Sequence, residues 1–283
     1  MNDEKLPGIS VVINTLNEEK NLPTALRSVK PWADEIVVVD MYSKDRTVEI
    51  ARQFGAEVFL HGGPGFNYPP RDYAVKQASK SWIFVLDADE LVPSGLCNTL
   101  RDIAERDDAD VVYIPRLNYL LGDALYHTRW GPNQDVQARF FKKGKILASS
   151  IAHQDFTPAP GAKVLQLSFN GSNAIVHFNY LDLFQFIERL NRYTGIEALQ
   201  SFENGVHIGP LKAIAYAMKE FVSRYIKASG YKDGWRGFYL STFMAFYRLV
   251  KAAKMKELEI VGSREKIIEF YRNEAESVLK DYQ

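Results

Sequence analysis

The first third of the chain alternates between continuous apolar runs and mixed polar segments, and each run ends in polar or acidic residues. The runs cover residues 9–14, 35–39 and 82–86. Continuous apolar runs of this length, separated by segments of helical character, are typical of parallel strands buried on both faces. Because ligands of open α/β sheets bind beyond the carboxyl ends of such strands, the polar residues that follow the three runs are predicted to converge at one edge of the sheet.

The segments between the runs complete a regular series of strands and helices. The predicted elements are helices at 21–29, 45–54 and 71–79 and a short strand at 57–60, with a Gly- and Pro-rich loop at 61–70. Asn21 is a suitable cap for the first helix, and Pro23 fits its first turn. This βαβαβαβ order predicts right-handed crossovers and an α/β fold with a doubly wound, mostly parallel sheet.

The rest of the chain changes character twice. A helix is predicted after Pro93, and residues 116–180 then show a β-rich, irregular pattern. Strands are predicted at 111–114, 137–142, 164–169 and 173–178. From Leu181 to the end the pattern is helical. We therefore predict an α/β domain over residues 1–180 and a C-terminal helical region over residues 181–283.

The composition is that of an ordinary globular chain, with 283 residues of which 46% are hydrophobic and 25% are charged. Cys97 is the single cysteine, which excludes an intrachain disulfide and fits a reducing compartment. The polar, acidic start does not look like a secretory signal, and no apolar run reaches the roughly 18–20 residues of a spanning helix. We expect a cytoplasmic protein, soluble or peripheral on the inner face of the plasma membrane.

Two carboxylates flank one small residue where the third apolar run ends. Asp87 and Asp89 offer the hard oxygen ligands that Mg²⁺ or Mn²⁺ prefers, and such a cation can bridge to a diphosphate. Ala88 between them leaves the backbone accessible to a ligand. The alternative is a solvated turn. The position after a buried strand, beside two other polar strand ends, favours the metal site.

Polar residues near the other strand ends are candidates for nucleotide contacts. Asp40 could accept a hydrogen bond from the ring NH of a base, and Asn17 and Glu18 could bind ribose or base. The alternative for this pair is helix capping by Asn17 and a solvated Glu18. Arg71 begins a helix after the Gly/Pro loop, where its guanidinium could reach phosphate oxygens; the alternative is a surface arginine.

Four of these segments resemble a known family when taken together. They are Thr15-Leu-Asn-Glu18, Asp40-Met-Tyr-Ser-Lys-Asp-Arg-Thr47, Arg71-Asp-Tyr-Ala74 and residues 82–90. They are similar, in order and spacing, to the nucleotide-sugar domain of family 2 glycosyltransferases, which have the GT-A fold. The resemblance covers about residues 8–115. It implies a nucleotide-sugar donor site made by Thr15, Asn17, Glu18, Asp40, Arg71, Asp87, Ala88 and Asp89.

The second half resembles a subgroup that includes bacterial lipopolysaccharide-core glucosyltransferases. The segment Asp135-Val-Gln-Ala-Arg-Phe-Phe-Lys-Lys-Gly144 resembles that subgroup's Asp-x-Gln-x-Arg-Leu-Phe-Arg-Arg-Gly stretch, and Ile151-Ala-His-Gln-Asp155 lies where the subgroup often has Val-His-Glu. The resemblance implies an inverting transfer, which needs one carboxylate as general base. Asp135 is the first candidate for the base, Asp155 the second and Glu90 the third.

The sequence leaves alternatives for the roles of two histidines. His153 is a candidate metal ligand, with an acceptor contact or a structural role as alternatives. His177 ends an apolar strand and is interpreted as structural.

The C-terminal part is basic and aromatic although the whole chain has a net charge of zero. Residues 209–256 carry 10 Lys/Arg against 2 Asp/Glu, a net of +8, whereas residues 1–110 carry 12 against 19, a net of −7. One helical face holds Leu211, Ile214, Met218, Phe221, Val222 and Tyr225. Aromatic and basic residues on amphipathic helices suit an anionic membrane surface. The alternative is a helical bundle packed on itself or on a partner chain.

The sequence thus predicts a metal-assisted, inverting hexosyltransferase with a nucleotide-sugar donor, expected to be a UDP-sugar. The predicted acceptor is a lipid-linked or cell-surface glycan, as in lipopolysaccharide biosynthesis. No nucleic-acid partner is expected, because the C-terminal aromatic residues lie at helical core spacing. Two alternatives stay open. One is an inactive GT-A scaffold that binds a partner, and the other is a sugar nucleotidyltransferase, although strand one leads into no Gly-rich loop.

Overall fold

A computed structural model describes residues 7–62, 71–147 and 156–282 of the chain. Its strands are β1 Ile9–Thr15, β2 Glu35–Asp40, β3 Glu57–Leu60, β4 Trp82–Asp87, β5 Glu90–Leu91, β6 Val111–Leu120, β7 Asp123–Ala124, β8 Val136–Lys142, β9 Ile146–Leu147, β10 Thr157–Pro158, β11 Val164–Gln166 and β12 Ile175–Tyr180. Its α-helices are α1 Leu22–Val29, α2 Thr47–Gln53, α3 Arg71–Gln77, α4 Ser94–Arg106, α5 Leu183–Glu203, α6 Pro210–Phe221, α7 Gly234–Val261 and α8 Arg264–Leu279. A π-helical turn, Val222–Lys227, continues α6, and short 3₁₀ turns cover Gly230–Asp233 and Lys280–Tyr282.

The main sheet joins a parallel half to an antiparallel half. Its strand order is β3-β2-β1-β4-β8-β6-β12-β5, with β7 and β11 also paired to β6. The strands β3, β2, β1 and β4 run parallel, and β8 is antiparallel to both β4 and β6. This arrangement confirms the predicted α/β fold with a doubly wound, mostly parallel sheet and a C-terminal helical extension.

Both faces of the parallel half are covered, which explains why its strands are apolar throughout. Alternate β1 residues point to opposite faces: Val11 and Ile13 pack in one buried cluster, and Val12 packs in the other. In α1, Leu22, Leu26 and Val29 lie on one helical face and are fully buried in the first cluster. The parallel register then aligns the carboxyl ends of the strands, so that Thr15 faces Asp40 and Asn14 faces Asp87.

Strand β6 is longer than the sequence pattern indicates. The predicted strand ended at residue 114, but β6 continues to Leu120. Its second half carries Arg116 and Asn118, two polar residues that interrupt the apolar pattern. Strand β12 also begins and ends two residues later than predicted. These changes matter because β6 and β12 supply side chains to the candidate site.

The described structure divides into two compact units. One comprises Met1–Tyr126 and Trp130–Asn179, and the other His127–Arg129 and Tyr180–Gln283. The second unit is built mainly from α5–α8, with α7 packed on both α5 and α6. No helix in the described ranges is both long and apolar enough to cross a bilayer. The predicted domain division at residue 180 stays a prediction.

Candidate active site

The carboxyl ends of β1 and β2 are joined by the buried side chain of Asp40. The Thr15 hydroxyl donates to Asp40 Oδ1 at 2.9 Å, and the Ser43 hydroxyl donates to the same oxygen at 2.5 Å. The Ser43 backbone NH donates to Asp40 Oδ2 at 2.7 Å. Because Asp40 is completely buried, its observed role is to fix the loop after β2 against the end of β1.

The loops that follow β1 and β2 are held together by further side-chain bonds. Asn17 adopts a left-handed conformation, with a φ of 56°, which asparagine tolerates better than most residues. Its side-chain oxygen accepts a bond of 2.8 Å from the Lys44 NH, and its own NH donates to the Ser43 hydroxyl at 2.7 Å. The Glu18 NH donates to the Thr47 hydroxyl at 2.8 Å. The predicted nucleotide residues of the two loops therefore form one ordered edge.

Asp87 at the end of β4 is held by two arginines. Arg71 Nη2 lies 3.1 Å from Asp87 Oδ1, and Arg139 Nη2 lies 2.8 Å from Asp87 Oδ2. Burial alone would raise the pKa of Asp87, but the charges of Arg139 and Arg71 outweigh it and hold the pKa well below its usual value. Asp87 is therefore a carboxylate at neutral pH, and Arg71 has reached the edge of the sheet at which phosphate binding was predicted.

A buried network links Asp87 to the candidate base Asp135. Glu90 is fully buried; its Oε2 accepts from the Asp87 NH at 2.9 Å, and its Oε1 lies 3.2 Å from Arg116 Nη1. Arg116 Nε donates in turn to Asp135 Oδ2 at 2.8 Å. The other oxygen of Asp135 accepts a bond of 3.0 Å from the Gln137 side chain. The candidate carboxylates of the first and second halves of the chain thus belong to one network.

His177 contacts this network through Asn118 and faces Asp89. The two donor hydrogens of the Asn118 amide go to Trp130 O at 2.8 Å and to Asp135 Oδ2 at 2.7 Å, both of which are acceptors. Asn118 Oδ1 must therefore face the ring of His177, where Nδ1 lies 2.6 Å away and has to carry the hydrogen. In the neutral ring, the lone pair of Nε2 then points towards Asp89 Oδ2 at 3.5 Å.

With the ring in its neutral form both groups are acceptors, and two acceptors at this distance suit a cation between them. A carboxylate and an imidazole nitrogen are both ligands for divalent metals, and Mn²⁺ accepts either. Within the described residues, no group of three or more His, Cys, Asp and Glu side chains could hold a metal. Two protein ligands are enough where a substrate diphosphate and water complete the shell, as is usual for Mg²⁺. The pair Asp89 and His177 therefore fits a metal that is shared with a bound diphosphate.

The structure brings most of the predicted residues to one edge of the sheet. Thr15, Asn17, Glu18, Asp40, Arg71, Asp87, Ala88, Asp89, Glu90 and Asp135 all lie within the described residues, with Ala88 buried in the core. His153 and Asp155 lie outside the described residues. The predicted ligand and base roles all stay predictions.

Four residues that the structure places in or beside the network were not anticipated from the sequence, namely Arg116, Asn118, Arg139 and His177. A signal existed for the first two, because polar residues two apart inside an apolar strand indicate a face that meets other polar groups. His177 becomes a neighbour of Asp89 through the antiparallel pairing of β12 with β5, in which it stands opposite Glu90. That pairing is not visible in the sequence.

The chain is similar to known proteins over most of its length. The model of glycosyl transferase family 2 matches residues 10–164, which is more than half of the chain. The lipopolysaccharide core biosynthesis glycosyltransferase LpsC of Rhizobium meliloti is 26% identical over 265 residues, which cover 92% of this chain and 96% of LpsC. An uncharacterised glycosyltransferase of Rickettsia bellii is 25% identical over 257 residues, covering 89% and 87% of the two chains.

A solved structure is similar to part of the chain. Glucosyl-3-phosphoglycerate synthase of Mycobacterium tuberculosis, crystallised with Mn²⁺, UDP and glucosyl-3-phosphoglycerate, is 23% identical with a TM-score of 0.33. The matched region covers 40% of this chain and 44% of the synthase.

Proposed function

Since the chain belongs to glycosyl transferase family 2 and has the predicted GT-A fold, we propose that it transfers a hexose from a UDP-sugar to a glycan acceptor with inversion. The observation that carries the proposal is the convergence of Asp87, Asp89 and Arg71 at the carboxyl edge of the sheet, beside the ordered loops that follow β1 and β2. This edge offers cation ligands and a phosphate-binding guanidinium within one network, as a diphosphate leaving group requires.

We propose that Asp89 and His177 hold the divalent metal, with Asp87 contacting ribose or metal. Bound there, Mg²⁺ or Mn²⁺ would offset the negative charge of the departing nucleoside diphosphate. Asn118 and Asp135 orient the His177 ring from behind, in the way that outer-shell partners usually orient metal-ligating histidines. The role predicted for His153 as a ligand remains an alternative to His177.

Replacing His177 with alanine should weaken Mn²⁺ binding in the presence of UDP by at least about tenfold, because one of two protein ligands is lost. The free Mn²⁺ signal in electron paramagnetic resonance measures this affinity without any turnover. His207→Ala is a matched control, since His207 is exposed and contacts Glu259 in the helical unit. If His177→Ala binds Mn²⁺ as tightly as wild type, His177 is structural and His153 becomes the candidate for the same test.

The donor base is proposed to lie against the ordered loops after β1 and β2. Tyr42 in the second loop has a φ of 62°, a rare conformation for an aromatic residue, and its ring is 60% exposed. Strained residues of this kind cluster at ligand sites. We propose that the Tyr42 ring stacks on the base. Asp40 and Asn17 hold the conformation of the loop that contacts the hydrogen-bonding edge of the base.

UDP should bind at least about tenfold more tightly than GDP, which corresponds to about 1.4 kcal/mol. Calorimetric titration of both nucleotides in the presence of Mn²⁺ measures the difference. Tyr42→Ala should weaken both nucleotides by about fivefold or more, because stacking on an aromatic ring is worth about 1–3 kcal/mol and does not depend on the base. The preference for UDP should survive in this variant. Tighter binding of GDP to wild type would contradict the proposed donor.

Inverting transfer needs a carboxylate that removes the proton of the acceptor hydroxyl while the bond to the diphosphate oxygen breaks. We propose Asp135 first and Asp155 second for this role. Glu90 remains third, because it is fully buried and both of its oxygens already accept hydrogen bonds. Asp135 is more accessible, although each of its oxygens accepts a bond from a neighbouring side chain.

The acceptor is proposed to be a lipid-linked or cell-surface glycan. Support comes from similarity along almost the whole chain to a relative named as a lipopolysaccharide core biosynthesis glycosyltransferase. The sugar and the linkage depend on side chains that meet the acceptor, and assays with candidate glycolipids would identify them.

A further inference from the structure

Helix α6 buries two of its alanines and exposes several of its large apolar residues. The buried side chains of α6 are Ala213, Ala217 and Glu220. On the opposite side, Leu211, Ile214 and Met218 are exposed by 84%, 53% and 59%. Val222 and Ile226 in the following π-helical turn continue this exposed stripe. The face that the sequence pattern would assign to a helical core is therefore turned outwards.

An aromatic group extends the stripe onto the start of α7. Phe238 packs against the rings of Phe221 and Tyr225, with centroid distances of 6.2 and 5.8 Å. Trp235 and Tyr239 contact each other one helical turn apart, and both are about half exposed. Tyr225 also contacts Tyr231. The stripe and the aromatic group form one continuous surface, which we name the α6–α7 face.

Within residues 209–239, all of which are described, the α6–α7 face carries positive charge and no exposed acidic side chain. Residues 209–239 contain 6 Lys/Arg and 2 Asp/Glu, a net of +4. Both acidic side chains already have partners. Glu220 is buried and forms ion pairs with Arg224 and Arg248, and the Asp233 carboxylate accepts hydrogen bonds from the His127 NH and the Thr128 hydroxyl. The exposed lysines of this segment are Lys212, Lys219, Lys227 and Lys232.

The basic residues further along α7 are engaged within the helical unit. Arg248 pairs with Glu220 at 2.9 Å, and Lys251 pairs with Glu197 at 3.0 Å. Lys254 donates to the Asn191 carbonyl at 2.5 Å. Burial would raise the pKa of Glu197, but the bonds from Tyr247 and Lys251 outweigh it and lower the pKa. Within residues 209–256, these contacts engage Arg248, Lys251 and Lys254, whereas Lys212, Lys219, Lys227 and Lys232 of the α6–α7 segment are exposed.

We propose that the α6–α7 face binds the surface of an anionic lipid bilayer. The face combines an exposed apolar stripe, tyrosine and tryptophan at one end, and lysines along its edges. Side chains of these kinds are typical of helices that lie at the headgroup boundary of a bilayer. A second copy of the chain fits less well, because a symmetric contact would bring the lysines of both copies together. The proposal does not rest on the transfer reaction, since lipid binding requires no turnover.

Flotation with vesicles tests the proposal directly. The full chain should float with phosphatidylcholine vesicles that contain phosphatidylglycerol at low salt, should be released at high salt, and should not float with phosphatidylcholine alone. Salt releases the chain because screening shortens the reach of the lysine charges. Absence of flotation with anionic vesicles at low salt would overturn the proposal.

Two sets of variants assign the binding to this face. Lys212, Lys219, Lys227 and Lys232 changed together to Gln should weaken binding by about 600-fold, at about fivefold per residue. The same change at the exposed lysines Lys20, Lys76, Lys163 and Lys266 removes equal charge and should have a small effect. Leu211→Gln with Met218→Gln should also weaken binding, whereas Ile260→Gln with Leu279→Gln, exposed elsewhere on helices, should not.

Two further results would also contradict parts of the proposal. Equal binding by both lysine sets would overturn the assignment to this face. A wild-type dimer in sedimentation that becomes monomeric in Leu211→Gln with Met218→Gln would show that a second copy covers the face, and would overturn the bilayer as its partner.

Discussion

Replacing Asp89 with alanine should remove at least about 99% of the donor-consuming activity, because a bound metal supplies several kcal/mol of charge stabilisation to the leaving group. The fold should be unaffected. The Asp89 carboxylate lies 3.5 Å from Nε2 of the His177 ring, and the bond from the Phe178 NH to the Asp89 carbonyl is retained in alanine. Release of UDP from a UDP-sugar measures the activity, and thermal unfolding checks the fold.

Asp108→Ala provides the control for Asp89→Ala. Asp108 is an exposed carboxylate that pairs with Arg106 on the surface, so its loss should change neither activity nor unfolding temperature appreciably. Wild type in excess EDTA should lose activity as Asp89→Ala does. Full activity of the Asp89→Ala variant, or of wild type in EDTA, would contradict the proposal that Asp89 is a metal ligand.

Replacing the true general base by asparagine should lower kcat by roughly 10²–10⁴-fold while donor affinity changes little. Asp135→Asn and Asp155→Asn should be compared in the same acceptor-dependent assay. The network adds a second readout for Asp135, because its Oδ2 accepts from Asn118, which in turn fixes the His177 ring. If Asp135 mainly positions His177, its asparagine variant should also weaken Mn²⁺ binding.

The two readouts separate the possible roles. A lower kcat with unchanged Mn²⁺ affinity identifies a base, whereas a parallel loss of Mn²⁺ affinity identifies a positioning residue. If both asparagine variants keep the wild-type kcat, neither carboxylate is the base, and Glu90→Gln becomes the next variant to measure.

The donor edge could be predicted from sequence because parallel strands leave little freedom. Once the apolar runs are interpreted as neighbouring parallel strands, their carboxyl ends must meet, and Asp40, Asp87 and Asp89 follow those ends. The match to glycosyl transferase family 2 confirms the family that the motifs of the first half indicated. The sequence does not show how these groups pair with one another, for example that Arg139 forms an ion pair with Asp87.

The second half was harder to predict because its strands pair antiparallel and out of chain order. His177 looked structural because it ends an apolar strand, and only the pairing of β12 with β5 shows that it faces Asp89. The same limit applies to the helical region. The sequence shows that residues 209–256 are basic, but not that Glu220 and Glu197 already neutralise part of that charge.

The measurement that tests the central claim most directly is slow hydrolysis of nucleotide sugars without acceptor. Wild type should release UDP from at least one UDP-sugar when Mn²⁺ or Mg²⁺ is present, should release none in EDTA, and should leave GDP-sugars largely intact. Failure to release a nucleoside diphosphate from any nucleotide sugar, or release that EDTA does not affect, would contradict a metal-assisted sugar transfer at this site.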